Sequence, residues 1–437
     1  MPLKSRIGRW WSCLAVCLMI AGGALLPGDR THLRTHATGE VIAYERLPEM
    51  CEAPGWVERQ SRREAAQRTG SGMDPIRMIK DPYPSFAAVS VDPARNEIVF
   101  TDESLFQVLV YDRRENTAPE AEASRPKRTI AGERTDIEFQ SGVYVDPKTG
   151  EIYAVNNDTR DTTIVFGPGA NGDVAPSRAI QTPHGTFGIA VAERHDEALL
   201  TIQHEAAVVT YRKGAGGADE PIRLLQGERT KLADPHGIAY DPEEDVIFVA
   251  NFGSRSGRIA PGVRRREPKA NWPLGRDAAV PGSGTISGPS ISVYRRQATG
   301  DEPPLRVIAG SASELNWPTG LAFDPEQREL FVTNDTTHSV LVFDSRANGN
   351  AAPKRVLRGG RTGLANPTGV ALDLKNRELW IANFGGHSGT VYPLTASGDT
   401  PPLRTIRNGP VGAPSLMIGN PGALTLDTKR GEILVPN

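Results

Sequence analysis

One unit recurs along the 437-residue chain, and this repeat limits the possible folds more than any other feature. In each copy an apolar stretch ends at an anchor residue, and a polar turn, a Glu and a second apolar stretch follow. The anchors, spaced by 54, 46, 49, 83, 49 and 54 residues, are Asp92, Asp146, Ala192, Asp241, Asp324, Asp373 and Asp427. Short strands repeated at this interval predict the blades of a β-propeller.

Each copy divides into four strands, which we name a to d. Strand a ends at the anchor, strand b follows the turn, and strand c ends on an aromatic ring. Strand d begins with Pro-x-Arg, and its arginines are Arg77, Arg128, Arg178, Arg223, Arg306, Arg355 and Arg404. Proline suits a strand start at an edge, and arginine discourages edge-to-edge pairing. We therefore predict a structural role for these arginines.

The two ends of the chain carry complementary half-copies of the unit. Strands c and d come first, at 40–44 and 75–81, whereas the last copy, 423–437, has only strands a and b. Pairing the two ends would remove two free sheet edges. We predict one all-β domain over residues 39–437, a seven-bladed propeller closed by this pairing, with six blades as the alternative.

Two phrases of the sequence resemble known repeats. Phe331-Val332-Thr333-Asn334 is similar to the YVTN phrase, and residues 367–373 with Ile381-Ala382-Asn383 resemble an NHL unit. The resemblance implies a β-propeller, usually of six blades in NHL domains. It implies no single function, because such propellers serve as binding scaffolds and as enzymes.

The N-terminus and the charge balance bear on location and partners. Basic residues and an apolar run within residues 1–26 predict a signal peptide or an N-terminal anchor. We expect an exported protein, periplasmic or extracellular, that touches a membrane only through an uncleaved anchor. The net charge of −2 argues against nucleic acid as a partner, and we expect a monomer.

The d–a and b–c loops of a propeller lie on one face, which we expect to bind the ligand. Of two insertions, at 45–73 and 252–289, the second is a b–c loop and therefore overhangs this face. It is rich in Arg and contains Arg264, Arg265, Arg266 and Trp272. A solvated basic loop is one interpretation, and contact with an acidic polymer or lipid surface is another.

Other candidate ligand-binding residues close strand b or lie in the loops of the same face. They are His184, His204, His236, Asn251, His338, Asn383 and His387. The asparagines suit capping of the b–c turn, or else a ring of oxygens for a divalent cation such as calcium at the axial channel. His236 directly precedes the innermost strand and is the best candidate for a catalytic base.

The sequence contains no P-loop, no G-x-S-x-G and no H-E-x-x-H motif. We therefore expect a non-catalytic binding scaffold without a cofactor, whose partner is a protein, a glycan or a small molecule. The alternative is a lactonase-like hydrolase or lyase with a histidine and metal site at the axial mouth.

Overall fold

The computed structural model describes residues 82–158, 160–255, 285–413, 415, 425–427 and 432–434. Within them, six four-stranded antiparallel sheets follow one another along the chain. The strands of each sheet lie in chain order, from an inner strand a to an outer strand d. This arrangement confirms the predicted β-propeller.

The first three blades contain twelve strands. Blade 1 comprises β1 (Phe86–Asp92), β2 (Glu97–Asp102), β3 (Gln107–Asp112) and β4 (Arg128–Ile130). Blade 2 comprises β5 (Gln140–Val145), β6 (Ile152–Asn156), β7 (Thr162–Phe166) and β8 (Arg178–Gln181). Blade 3 comprises β9 (Thr186–Ala192), β10 (Glu197–Ile202), β11 (Ala207–Arg212) and β12 (Arg223–Gln226).

Blade 4 has an additional hairpin at its b–c connection. It comprises β13 (Pro235–Asp241), β14 (Val246–Asn251), the hairpin strands β15 (Ser254–Arg255) and β16 (Thr285–Ile286), β17 (Ser290–Arg295) and β18 (Arg306–Ala309). Blade 5 comprises β19 (Pro318–Asp324), β20 (Glu329–Asn334), β21 (Ser339–Asp344) and β22 (Arg355–Leu357). Blade 6 comprises β23 (Pro367–Asp373), β24 (Glu378–Asn383), β25 (Ser388–Pro393) and β26 (Arg404–Arg407).

A few short elements complete the described residues. Two 3-10 helices occupy Ser311–Ser313 and Phe384–Gly386, and β27 (Thr425–Asp427) pairs with β28 (Glu432–Leu434) in a separate two-stranded sheet. In the described part of the chain, no helix has the length and apolar character needed to span a membrane. The predicted signal or anchor at 1–26 and the insertion at 45–73 lie outside the described residues.

The prediction of seven blades is wrong, because six blades already close the ring. Blade 6 packs directly on blade 1: the Thr368 hydroxyl donates to the Phe86 carbonyl oxygen at 3.2 Å. Arg113 of blade 1 also forms ion pairs with Asp373 at 3.4 Å and Glu378 at 2.6 Å. The ring is therefore closed without the expected pairing of the chain ends: among the described residues β27 pairs with β28 in a sheet outside the six blades, and 40–44 and 75–81 lie outside the described residues.

A β-bulge near the start of the inner strand lets neighbouring blades approach closely. In blade 5 the register shifts between Pro318 and Leu321, and the Gly320 amide donates to the Thr333 hydroxyl at 2.6 Å. That hydroxyl in turn donates to the Thr368 carbonyl oxygen of blade 6 at 3.0 Å. The bulge thus couples the inner strand of blade 5 to blade 6.

The repeated arginine of strand d reaches across strand c to the glutamate that begins strand b. Arg355 donates to both carboxylate oxygens of Glu329 at 2.7 Å, and Arg404 pairs with Glu378 at 2.8 Å. A planar guanidinium fits a carboxylate with two parallel hydrogen bonds. The arginines therefore fasten the outer strand, as a structural role requires.

Candidate functional site

Two series of residues surround the propeller axis on the face of the d–a and b–c loops, and we call this set the mouth. The first series is the second residue of each inner strand: Ala87, Ser141, Phe187, His236, Thr319 and Thr368. The second series is the residue that follows each strand b: Glu103, Asn157, Gln203, Phe252, Asp335 and Phe384.

Backbone hydrogen bonds fix the second series against the d–a connections. The amide of Phe252 donates to the Asp234 carbonyl oxygen at 3.1 Å, and that of Asp335 donates to the Trp317 carbonyl oxygen at the same distance. The Glu103 amide donates to the Ser85 carbonyl oxygen at 3.2 Å. Because this bond recurs, the fold holds one side chain per blade at a defined place.

The asparagines that end strand b have internal partners. The buried Asn251 accepts a hydrogen bond from the Ala233 amide at 3.0 Å and donates to the Ser292 hydroxyl at 3.2 Å. The buried Asn383 accepts from the Ala365 amide at 3.2 Å. Their oxygens therefore hold the d–a connection of the same blade and do not point to a ligand.

His236 is buried at the mouth, and both of its ring nitrogens have partners. Gln203 Nε2 lies 2.6 Å from His236 Nε2, and His236 Nδ1 lies 3.0 Å from the Asp234 carbonyl oxygen. An amide nitrogen only donates and a carbonyl only accepts, so the proton is on Nδ1. Burial lowers the pKa of His236 to about 4, and the ring is neutral near pH 7. This neutral ring with both nitrogens bonded is poorly placed to act as a general base.

An amide chain leads to His236 from the neighbouring blades. Asn157 Nδ2 donates to the Gln203 side-chain oxygen at 2.8 Å and to the Thr186 carbonyl oxygen at 2.9 Å. Asn157 thereby orients Gln203, which in turn fixes the imidazole plane. One side of the mouth is therefore an ordered set of amide groups.

Aromatic rings also contact His236 and continue from it to the next blade. The Phe252 ring stacks on His236 with ring centroids 3.4 Å apart and on Trp317 with centroids 5.1 Å apart. Phe187 meets His236 edge-on at 4.2 Å. Trp317 ends this stack with 52% of its surface exposed. We call His236, Phe252 and Trp317 the aromatic platform.

Trp317 has a backbone conformation that tryptophan rarely adopts. Its φ is 53°, in the left-handed region, as is that of Gly185, Asp234 and Asn366 at the equivalent positions of other blades. Gly, Asn and Asp tolerate this region, whereas a bulky residue there costs about 1–2 kcal/mol. Exposure and backbone strain together make this tryptophan a candidate for binding.

Three carboxyl groups from two blades lie at the mouth or directly beside it: Asp102 and Glu103 of blade 1 and Asp335 of blade 5. Burial, opposed by hydrogen bonds from the Ser85 amide and Gln107, raises the pKa of Asp102 to about 7. Burial, together with the negative charges of Asp102 and Asp158, raises the pKa of Glu103 to about 7. Burial raises the pKa of Asp335 as well. Burial therefore favours the neutral, protonated form of these carboxyl groups.

The predicted histidines are only partly brought together. The rings of His184 and His204 stack with centroids 5.3 Å apart, and His184 Nδ1 lies 2.9 Å from an Asp161 carboxylate oxygen. His236 belongs instead to the aromatic platform. Among the described residues, no group of three or more His, Cys, Asp or Glu side chains is arranged to hold a metal ion.

The remaining candidates are dispersed. His338 is exposed and accepts a hydrogen bond from the Asn366 amide at 2.9 Å. His387 is fully buried between blades 6 and 1, with Nδ1 2.8 Å from the Pro84 carbonyl oxygen. Arg264, Arg265, Arg266 and Trp272 lie outside the described residues.

Sequence reasoning did not single out Trp317, Gln203 or Glu103. A comparison of equivalent positions would have found Trp317. It directly precedes the proline of strand a, a position that Asp234 and Asn366 occupy in the neighbouring blades. Glu103 likewise occupies the place of Asn157 after strand b. The signal was a departure from the repeat rather than a motif.

Residues 288–400, about a quarter of the chain, match the family model of the SMP-30/gluconolactonase/LRE-like region. No curated protein matches the chain. The fold is similar to a hydrazine synthase chain from Kuenenia stuttgartiensis, at 13% identity and a TM-score of 0.45, covering 74% of this chain and 99% of that one. It is also similar to a chain of a nidogen/laminin complex, at 16% identity and a TM-score of 0.47, covering 74% and 92%. The chain is a β-propeller repeat protein, as its sequence predicts.

Proposed function

We propose that the protein is an exported, non-catalytic binding scaffold that captures its ligand at the mouth. The observation that carries the proposal is Trp317, which is 52% exposed and strained, and which ends a stack of rings fixed by Gln203. Rigid aromatic rings beside a few oriented polar groups are typical of binding sites. The amides of Asn157 and Gln203 supply the polar groups.

The test uses the full chain and compares two variants. Trp317→Ala removes the end of the platform, and Leu403→Ala is the matched control, because Leu403 is 54% exposed and far from the mouth in the fold. Both are screened against a glycan array and against a metabolite panel by calorimetry, neither of which depends on the fluorescence of Trp317. We expect the ligands of the parent protein to be lost in Trp317→Ala and retained in Leu403→Ala. Equal binding by the two variants would contradict the proposal.

A lactonase-like hydrolase at the same mouth is the second candidate, favoured by the match to the gluconolactonase-like family model over residues 288–400. The neutral, doubly bonded His236 counts against it. The mouth carboxylates also do not form a three-ligand group with other described residues, so a preformed cation site does not fit. Lactone hydrolysis with bound metal, lost in Glu103→Gln, would favour this candidate over the scaffold.

A further inference from the structure

The junction between blades 2 and 3 departs from the repeat in the connection that crosses it. After blades 1, 3, 4 and 5, the strand-d arginine lies 14 positions before the glycine of the next inner strand, as Arg223 does before Gly237. Arg178 lies 10 positions before Gly188. Each long connection buries one aliphatic side chain between two blades, and these are Ile137, Leu232, Leu315 and Leu364. The short connection, residues 182–185, contains no Ile or Leu.

A cavity marks the place of the missing side chain. It has a volume of about 20 Å³, and its walls include Ile180 of blade 2 and Ile189 of blade 3. The equivalent residues of the next junction, Leu225 and Ile238, pack in one buried cluster with Leu232. Unfilled space in a protein interior forfeits the contacts that would line it. Blades 2 and 3 are therefore packed less fully than blades 3 and 4.

Two side chains around the cavity also differ from their equivalents at the next junction. Thr163 occupies the position of Val208, and Ala198 occupies the position of Ile247. The buried Thr163 hydroxyl has no hydrogen-bond partner among the described residues. A buried polar group without a partner is destabilising, and the small side chain of Ala198 leaves further space unfilled.

This junction lacks a hydrogen bond that fastens four of the others. In each of those, a backbone amide of the connection donates at 2.7 Å to an Asp or Asn side chain in the c–d loop of the next blade. The pairs are Arg134 with Asp173, Arg229 with Asp301, Ala312 with Asn350 and Arg361 with Asp399. Blade 3 has Ala218 at the position of this acceptor. The corresponding side-chain bond cannot form between blades 2 and 3.

Polar contacts at the two faces of the propeller hold blades 2 and 3 together. At the mouth, Asn157 Nδ2 donates to the Gln203 side-chain oxygen at 2.8 Å. On the face of the a–b turns, Lys213 pairs with Asp146 at 2.6 Å. The incompletely packed cavity lies between these polar contacts.

We propose that the ring opens reversibly at the junction between blades 2 and 3 while the other junctions stay closed. Parts of a protein with weaker contacts open separately from the rest. Opening parts Asn157 from Gln203, so the amide chain that orients His236 is complete only in the closed ring. The inference goes beyond the proposed function and does not depend on it, because it concerns the blade junction and not the ligand.

Equivalent backbone amides report on the two junctions. The Gly217 amide donates across this junction to the Ala179 carbonyl oxygen at 2.7 Å, and the Gly300 amide donates across the next one to the Leu224 carbonyl oxygen at 2.7 Å. Hydrogen exchange of the full chain, read by mass spectrometry at single residues and corrected for intrinsic rates, compares them. We expect Gly217 to exchange at least about tenfold faster. Equal rates would overturn the proposal.

Substitutions in the cavity show whether this rate reports opening of the junction. Thr163→Val with Ala198→Ile gives the junction the side chains of the next one, and the Gly217 amide should then exchange at least about threefold more slowly, with Gly300 unchanged. The control is Val208→Thr, which should accelerate exchange of Gly300 alone. Thermal melts verify folding, and Thr163→Val alone replaces the double variant if that does not fold. If Gly217 exchanges as in the parent protein, its rate reflects its own loop and the proposal is wrong.

Discussion

Gly320 lies against the backbone of the next blade, and a β-carbon placed on it would be 2.6 Å from the Thr368 carbonyl oxygen and 2.9 Å from the Thr333 hydroxyl. Glycines at the same position of other inner strands face the same crowding. Gly142, for example, would place a β-carbon 2.6 Å from the Phe187 carbonyl oxygen. The absence of a side chain therefore sets how tightly the inner strands pack.

We predict that Gly320→Ala lowers the free energy of unfolding by about 2–4 kcal/mol, because backbone atoms must shift to admit a methyl group. The control is Gly214→Ala, where a β-carbon meets nothing within 4 Å, and its effect should stay within about 0.5 kcal/mol. Urea denaturation of both variants measures the difference. Similar stabilities would show that the inner strands have room to adjust.

Trp317→Asn should separate binding from stability. Asn366 shows that asparagine fits the equivalent left-handed position, so the relief of strain offsets the lost stacking on Phe252. We expect the free energy of unfolding to remain within about 1 kcal/mol of the parent value while ligand capture is lost. A loss of stability well beyond this range would mean that Trp317 serves the fold.

The raised pKa of Glu103 predicts a pH-dependent stability. Its pKa is about 7 in the folded protein, against 4.5 ordinarily. Between these values the folded state keeps a proton that the unfolded state releases, so the free energy of unfolding falls as the pH rises. The nearby Asp102 acts in the same direction.

Glu103→Gln removes the contribution of Glu103 and should stabilise the protein by about 2 kcal/mol at pH 8, with little effect at pH 4. Chemical denaturation of the variant and the parent at both pH values measures this difference. The lowered pKa of His236 makes the free energy of unfolding rise with pH, but it does so equally in both proteins and cancels when their values are subtracted. The exposed Glu133→Gln is the control. A variant that is no more stable than the parent at pH 8 would contradict the assigned cause.

The stability of the outer strands should depend on the paired hydrogen bonds between the strand-d arginine and the strand-b glutamate. Arg355→Lys loses one of two hydrogen bonds to Glu329 and is expected to cost about 1 kcal/mol. Arg358→Lys is the control, since Arg358 is half exposed and makes one 3.2 Å bond to Glu314. A double-mutant cycle with Glu329→Gln gives the coupling energy. A coupling near zero would remove the structural explanation of the repeated Pro-x-Arg.

The basic insertion can be removed without touching the aromatic platform. Ser254–Arg255 pairs with Thr285–Ile286, so residues 256–284 can be replaced by an Asn-Gly turn between adjacent strands. We predict that this shortened variant, in which Phe252 is intact, keeps the thermal stability of the parent protein. If the insertion takes part in docking, the variant no longer captures the partner in a pull-down. Unchanged capture would assign docking to the mouth alone.

Local chemistry explains what the sequence predicted well. Asp241 accepts hydrogen bonds from the amides of Glu243 and Glu244 at 2.9 and 3.3 Å, as an Asp-Pro turn requires. The blade number was missed because the C-terminal residues 423–437 carry the local pattern of strands a and b, and the N-terminal residues carry that of strands c and d. Contacts between Thr368 and Phe86 decide the closure, and they join residues 282 positions apart.

In the candidate site, too, the sequence predicts local features but not the contacts between residues distant in sequence. The face of His236 followed from strand order, but its low pKa comes from burial, and its Nε2 is bonded to Gln203 of the preceding blade. The left-handed φ of Trp317 and its stacking on Phe252 also depend on neighbours distant in sequence. Periodicity predicts where side chains emerge, and packing decides what they can do.

Every described blade is built from one uninterrupted stretch of chain, so no strand is exchanged between the first and the last. The junction joined by Arg113 and Glu378 is thus formed by two complete blades, as the other five are. No single blade junction is therefore required to close the ring. Circularly permuted chains that are opened in different loops between blades should fold to the same propeller.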